Sequence, residues 1–426
     1  MAHTSLALAA LVLFVGSISY MLGVFSYSSP PVVALDVMNT LGLNPDQLSL
    51  MFAATMAAYS LMQPVSGFCA DRFGPRRCLV FASVLLGLGS LLFSQTQGVL
   101  MGGLTRAMIG VAAGLTLMPC LKLAGYWFNH RYFGLVSSVV IAFSAIGNGM
   151  AGRPLAWAAT SFGWRDSFAA VGVFGLIWSV FIFAVVRDRP KGIPAGTPED
   201  DPILPPPQPP ARSFFKTLAV IVKIPAFWLL GFTYAGTDMI YCTFNTLWVG
   251  PYMMEVHELS EAVAGNLITL AAVSYFIGPP LITLWGGAWG YSKVILTVAL
   301  FNCLLGLFLL ISPSVPGVWV LYIFCFLSPV GAMLTVMILS LGRDLVPENI
   351  GGSAMGFLNL FPIAGGAIMQ KVVGRLLTVD EAQAALLGYS ELYSAAFRPM
   401  MIYMLITVVM AYFLVRRYGK KASHQG

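Results

Sequence analysis

Charge is what this sequence has least of. Asp, Glu, Lys and Arg make up 9% of its 426 residues, where a soluble globular chain carries roughly 25%. With 58% hydrophobic residues and a mean hydropathy of +0.82, the chain belongs in a bilayer. Cysteine and histidine are scarce as well. Cys69, Cys78, Cys120, Cys242, Cys303 and Cys325 fall in or beside apolar runs with no C-x-x-C pair, which argues against a disulfide framework or a zinc site. His3, His130, His257 and His424 lie in predicted loops or tails and form no metal-ligand cluster. No G-x-x-x-x-G-K-[ST] phosphate loop, G-x-S-x-G elbow or H-E-x-x-H pair occurs, so neither an ATP-driven pump within this chain nor an enzyme is expected. Met1 to Ser5 has no Lys or Arg, and no cleavable signal peptide is expected. The net charge of +6 gathers at helix ends, as membrane topology requires, and is no nucleic-acid footprint.

What is present is a series of apolar runs of about twenty residues, each close to 30 Å long as a helix. Twelve are read: Leu6–Tyr27, Gln47–Ser66, Cys78–Ser94, Val99–Leu121, Leu135–Ala156, Phe168–Val186, Pro225–Val249, Ala262–Trp285, Val294–Ile311, Val318–Leu341, Ser353–Val373 and Pro399–Val415. Most basic residues, among them Arg72, Arg76, Arg77, Arg187, Lys216, Arg343 and Lys420, fall on one side, while the loops holding Asp36, Asp46, Glu255, Glu258 and Glu261 have no Lys or Arg. Both termini are therefore expected to be cytoplasmic. The proline-rich stretch from Arg187 to Arg212 reads as a solvated linker. It divides the chain into an N-terminal bundle of six helices (1–186), a linker (187–215) and a C-terminal bundle (216–426) ending in a short basic tail.

Between the second and third runs lies a charged hinge, Gly67-Phe-Cys-Ala-Asp71-Arg72-Phe-Gly74-Pro-Arg76-Arg77. Glycine permits close approach and positive φ. The acid suits a helix N-terminus, and the arginines suit carboxylates or helix C-termini. On charge alone an ordinary cytoplasmic loop explains it equally well. The spacing, G-x-x-x-D-R-x-G-x-R-R, resembles the loop between the second and third helices of the major facilitator superfamily, matched here by Gly67, Asp71, Arg72, Gly74, Arg76 and Arg77. The resemblance implies an all-α membrane protein of two six-helix bundles, with the first, fourth, seventh and tenth helices around a central cavity. In the second half, Trp285 to Lys293 keeps the glycines of a hinge copy but lacks the Asp-Arg pair. Three further stretches, Leu121–Gly134, Pro154–Trp157 with Gly163–Asp166, and Thr246–Met253, are similar to a bacterial branch that includes siderophore-linked and magnetosome-associated facilitators. Iron or an iron chelate is one cargo this implies, although no cluster of His, Cys and carboxylates stands in the spans to hold a bare ferrous ion.

A few polar residues interrupt the apolar runs. Arg106 opens R-x-x-x-G-x-x-x-G in the fourth span, with Gly110 and Gly114 on one face. The pattern resembles the superfamily's fourth-helix motif, whose arginine is linked to proton or substrate coupling. The alternative is a structural arginine satisfied by helix carbonyls. Asp238, mid-span in the seventh run, is read either as a proton-carrying acid or as a neutral acid holding a kink beside Gly236. Tyr241, Asn245 and Trp248 follow it at i+3, i+7 and i+10, one α-helical face. That face is expected to line the cavity or, for Trp248, to anchor the outer interface. Asn148, between Gly147 and Gly149 in the fifth span, loosely resembles a glycine-rich antiporter motif without its Gly-Pro pair; flexibility and packing explain it equally. Asn359, Gln370 and Lys371 mark the eleventh span, where Lys371 either snorkels outward or points inward to favour an anion. Tyr20 and Tyr275 are further candidates.

The resulting expectation is a multi-pass protein of the bacterial inner membrane, without cofactor. It moves a small anionic or zwitterionic solute by alternating access, coupled to protons, with Asp238 as proton site and Arg106 as its charge partner. The chain is read as a monomer among membrane lipids, with no nucleic-acid partner. Facilitated exchange without protons, an iron-chelate porter, and a non-transporting receptor or scaffold are the other readings.

Overall fold

The computed structural model describes residues 6–128, 130–189, 219–311, 317–346, 351–379 and 381–418. Among them every regular element is helical. The segment before residue 190 holds α1 (Leu6–Ser28), α2 (Pro30–Leu41), α3 (Pro45–Phe73), α4 (Pro75–Ser94), α5 (Val99–Gly114), α6 (Leu117–Trp127), α7 (His130–Met150), α8 (Arg153–Phe162) and α9 (Trp164–Val185). After residue 218 come α10 (Pro225–Thr237), a π-helix (Ile240–Trp248), α11 (Val249–Glu255), α12 (Glu261–Trp289) and α13 (Tyr291–Ile311). Then follow α14 (Val318–Leu327), a 3₁₀ stretch (Ser328–Leu334), α15 (Thr335–Asp344), α16 (Gly351–Leu358), α17 (Leu360–Leu377) and α18 (Glu381–Tyr418). The proline-rich linker lies outside the described residues from 190 onward.

Nine helices among the described residues are long and apolar enough to cross a membrane. The spans expected second, fifth and seventh are not among the nine. The second lies within the 29-residue helix α3; the fifth is divided at Ala151 and Gly152 between α7 and α8. The seventh is broken at Asp238, where α10 gives way to the π-helix. The helix α2 is a further departure. Pro30 and Pro31 read as a loop after the first span, yet proline is well suited to a first helical turn, where its missing N–H costs nothing.

Helix starts follow the same logic. Asn44 Oδ1 accepts the Gln47 N–H at 2.8 Å, and Gln47 Oε1 accepts the Asn44 N–H at 3.1 Å, a reciprocal cap in front of Pro45. At the far end of α3, Gly74 takes φ +84 so that the chain can turn directly into α4.

Within the first segment α4 packs on α9, α3 on α5 and α1 on α7; within the second, α13 packs on α18. Contacts between the segments gather at one end, where α3 meets α17, α12 meets α7 and α8, and α2 meets α11. The largest apolar cluster draws on both segments there, bringing Val33, Phe52 and Trp164 together with Phe244, Trp248 and Tyr252. Two other clusters stay apart, one within the second segment around Phe227 and Ile338, one within the first around Leu79 and Leu123. One end of the molecule is thus sealed by a common core, and a small cluster of Met56, Cys242 and Ile363 also joins the two segments.

Two kinds of contact seal that end. Lys371 Nζ lies 2.6 Å from Asp46 Oδ2 and also donates to the Asp46 carbonyl at 3.3 Å, while Thr378 Oγ1 accepts the Asp46 N–H at 2.9 Å. Lys371 therefore meets the first segment in this state, with about a third of each charged side chain open to solvent. Gly250 makes a tighter approach, since a Cβ there would run into the Pro31 carbonyl oxygen. A partly exposed ion pair contributes about 0.2–1 kcal/mol, whereas a backbone clash cannot be relieved by a rotamer change. Spin labels at Asn39 and Ser260, one on each side of this end, should therefore show a small gain in the separated population for Lys371→Met, up to about fivefold. The gain for Gly250→Val should be clearly larger; the reverse order would mean that the ion pair governs the closure.

Candidate functional site

The seventh span supplies the centre of the site. α10 ends at Thr237, and Asp238 takes φ −92 and ψ 4, outside the helical repeat. A break inside a bilayer frees backbone carbonyls that hydrocarbon cannot satisfy. Neighbouring helices take them up: Asn302 Nδ2 donates to the Thr237 carbonyl at 2.6 Å, and Gln370 Nε2 donates to the Cys242 carbonyl at 3.2 Å and to Thr246 Oγ1 at 2.7 Å. Asn245 and Ser328 join the π-helix to the 3₁₀ stretch at 3.0 and 3.1 Å. Against this well-satisfied backbone, Asp238 is left almost alone. The residue is 6% exposed, and among the described residues its Oδ2 accepts only from the Cys242 Sγ at 3.5 Å while its Oδ1 has no partner.

The π-helix also corrects the expected stripe. A π-turn is wider than the 3.6 residues of an α-turn, so i+3, i+7 and i+10 no longer share a face. Tyr241 is half-buried and stacks on Tyr275, with ring centroids 4.7 Å apart and planes 6° from parallel. Asn245 is buried against Ser328, and Trp248 is sealed in the shared core with its Nε1 unpartnered. The first segment offers a second aromatic pair, Tyr27 and Tyr59, with centroids 4.9 Å apart. Tyr27, Tyr59 and Tyr241 pack around one small cluster of Met56, Cys242 and Ile363. Two tyrosine pairs, one per segment, therefore meet beside the Asp238 break. Four phenol hydroxyls on flat apolar rings suit a small polyhydroxylated solute, because a ring face can stack while the hydroxyls exchange hydrogen bonds.

Arg106 is fully buried, but not at that meeting point. Its Nε donates to Thr55 Oγ1 at 3.0 Å, Nη1 to Ser29 Oγ at 3.4 Å and Nη2 to the Ser26 carbonyl at 3.0 Å. Its guanidinium lies over Phe52 at 5.0 Å and Phe93 at 5.4 Å. No ion pair or hydrogen bond joins it to Asp238 among the described residues. The expected charge partnership is absent among the described residues, where Thr55 of α3, Ser29 at the start of α2 and the Ser26 carbonyl of α1 accept from the guanidinium instead.

The remaining candidates scatter. Asn148 receives the Ser28 hydroxyl between α7 and α1, and Tyr20 is buried beside Ser144. Asn359 leads into α17, with its Oδ1 at 3.3 Å from the Tyr234 hydroxyl. In the hinge, Gly67 lies within α3, Arg72 and Arg77 are exposed, and the Asp71 side chain lies outside the described set. The acid at the α4 N-terminus is Asp188, whose Oδ1 accepts the Arg76 N–H at 2.7 Å. Arg76 Nη2 in turn donates to the Phe183 carbonyl near the end of α9, so an arginine does meet a helix C-terminus. Asp188 shows no motif in the sequence, and nothing short of the fold pairs it with the hinge. Outside the spans, Glu255 accepts the Tyr393 hydroxyl at 2.6 Å; burial pushes its carboxyl up, a shift this hydrogen bond opposes. Burial pushes the neighbouring His257 down. No group of three metal-ligating side chains occurs among the described residues.

Comparison with known proteins bears on the family and the fold. The family model of the Major Facilitator Superfamily matches residues 11–369. The chain is 26% identical to a protein of Cupriavidus necator named "Probable sulfoacetate transporter", over 37% of each chain, so just over a third of that protein's length is matched. It is 24% identical to the hexuronate transporter of Bacillus subtilis, over 83% of this chain and 85% of that one. Its fold superposes, at a TM-score of 0.79 and 15% identity, on the inward-facing, unoccupied structure of a bacterial homologue of the human lysosomal transporter Spinster, covering 98% of both chains. This chain belongs to the Major Facilitator Superfamily, as a multi-pass integral membrane protein and secondary transporter.

Proposed function

We propose that the protein is a proton-coupled symporter for a small organic anion of the sugar-acid kind, working by alternating access. The observation that carries this reading is Asp238: a buried carboxyl at a helix break, with no cation paired to it among the described residues, beside two tyrosine pairs that belong to different segments. A buried carboxylate with no partner is costly, so in this state Asp238 is read as holding a proton. In that form it donates a hydrogen bond to the solute's carboxylate; once ionised it repels it. Proton and anion are thereby bound together or released together, and the pair crosses without leaving an uncompensated charge in hydrocarbon.

Two bundles of six helices, joined by the 187–215 linker, are the natural rocking bodies. With the positive-inside bias placing the hinge at Gly67–Arg77 in the cytoplasm, the sealed Asp46–Lys371 end faces outward and the site opens inward. The relatives named for hexuronate and sulfoacetate both carry anions in their names, which supports the solute class. Arg106 acts here as a positioning residue that holds α1, α3 and α5 together through its three acceptors.

Three measurements test this. In proteoliposomes with an imposed pH gradient, acid-driven uptake of glucuronate or galacturonate should fall at least tenfold in Asp238→Asn, while exchange of internal for external solute persists. Unchanged acid-driven uptake would remove Asp238 from the coupling. Tyr241→Ala and Tyr275→Ala should each raise the KM for uptake several-fold at unchanged thermal stability; a loss of Tm with normal KM would make the stack a packing feature. Arg106→Lys keeps the charge but loses the fork, leaving some of its acceptors unpaired at about 1–3 kcal/mol. A lowered Tm with unaltered pH dependence per folded molecule is expected, and a displaced pH profile would return Arg106 to the coupling machinery.

A further inference from the structure

At the opposite end from the Asp46–Lys371 pair, a cleft of about 450 Å³ lies where the first turns of α4 meet the end of α9. Arg76, Arg77, Phe81, Val84, Phe183 and Asp188 line it. It is separate from the solute site. Two kinds of surface meet in it. Phe81 is 56% exposed and Phe183 61% exposed, on helices apolar enough to cross the bilayer, so their rings face lipid tails. Above them stand two guanidinium groups.

The two arginines are held differently. Arg76 is fixed: it donates to the Phe183 carbonyl, its guanidinium lies 4.4 Å from the Phe183 ring centroid, and its Nε is buried without an acceptor. Arg77 is exposed and has no hydrogen-bond or ion-pair partner among the described residues. Asp188, the acid that lines the cleft among the described residues, makes no ion pair or hydrogen bond with the Arg77 side chain. Asp188 turns its carboxylate to the Arg76 backbone N–H and against Gly74, where the start of α4 takes up the charge. Among the described residues, the cleft therefore presents the Arg77 guanidinium with no acid in contact, beside an apolar wall. Exposed Arg72, Arg187 and Arg189 add to the positive potential of this end.

We propose that this cleft binds an anionic phospholipid, its phosphodiester held by the Arg77 and Arg76 guanidinium groups and one acyl chain lying against Phe81, Val84 and Phe183. A guanidinium fork matches two phosphate oxygens bidentately. A basic pocket between helix ends at a charged membrane surface is where such headgroups settle. The apolar wall selects a lipid over a free phosphate ion, because only a lipid covers the rings.

The test uses the full-length protein in nanodiscs of phosphatidylcholine doped with phosphatidylglycerol, with co-purifying lipid counted by native mass spectrometry. The wild type should retain phosphatidylglycerol above its share of the bilayer. Arg77→Gln should lower that retention about tenfold; the side chain is exposed and unpartnered, so the fold is not at stake. Arg77→Lys should give an intermediate value, and Arg416→Gln, an exposed cation near the end of α18, should leave retention as it is. Unchanged retention in Arg77→Gln, or an equal loss in Arg416→Gln, overturns the site. Displacement of the lipid by added inorganic phosphate overturns a lipid as its occupant.

Discussion

A helix interrupted inside hydrocarbon must hand its freed backbone groups to its neighbours, and much of this structure follows from how that is done at Asp238. The Thr237 carbonyl goes to Asn302 on α13, the Cys242 carbonyl to Gln370 on α17, and Asn245 pairs with Ser328. Three separate elements are tied to the seventh span by side-chain amides and hydroxyls. The break is therefore held open at a fixed place. Among the described residues it leaves the Asp238 carboxyl without a strong partner, at the point where the two segments bring their tyrosines together; the amide oxygens of Asn302 and Gln370 lack one as well.

Arg106 and Asp238, two buried ionisable residues of the described spans, have very different surroundings. Both were conspicuous because charge is so rare in this chain. In the fold, the arginine spreads its charge over two hydroxyls, a helix carbonyl and two ring faces. Each of its three side-chain nitrogens has an acceptor. The acid has one weak sulfhydryl donor and an empty lone pair. A group so poorly served is the one whose ionisation a change of surroundings can reverse.

Much of this was legible in the sequence, and the misses have physical causes. The hinge spacing, the apolar runs and Asp238 are local signals, and local signals survive without a fold. The Tyr241–Asn245–Trp248 stripe failed because it assumed 3.6 residues per turn across a stretch that winds as a π-helix. Asn302, Asp188 and the Tyr27–Tyr59 pair were not singled out, since each acts through a partner distant in sequence: Asp188 stands 112 residues from Arg76, and Asn302 stands 65 from Thr237. Lys371 was placed near the outer end without its mate, Asp46, 325 residues earlier.

The sealed end has a composition suited to reversal. Its core is almost wholly apolar, with Phe244, Trp248 and Tyr252 of the second segment against Val33 and Phe52 of the first. Among the described residues the polar links that cross it are few: the partly exposed Lys371–Asp46 pair with its second bond to the Asp46 carbonyl, the Thr378 contact to Asp46, and Thr269 Oγ1, which accepts the Arg153 N–H at 2.9 Å and donates to the Gly149 carbonyl at 3.4 Å. Directional bonds fix one geometry and leave costly orphans when they part, whereas apolar contact is non-directional and re-forms against any complementary surface. In the proposed alternating-access cycle, a seam that opens and closes is better built from the second. The directional bonds are instead concentrated inside each segment, around Arg106 in one and around the Asp238 break in the other, where the packing has to survive the motion unchanged.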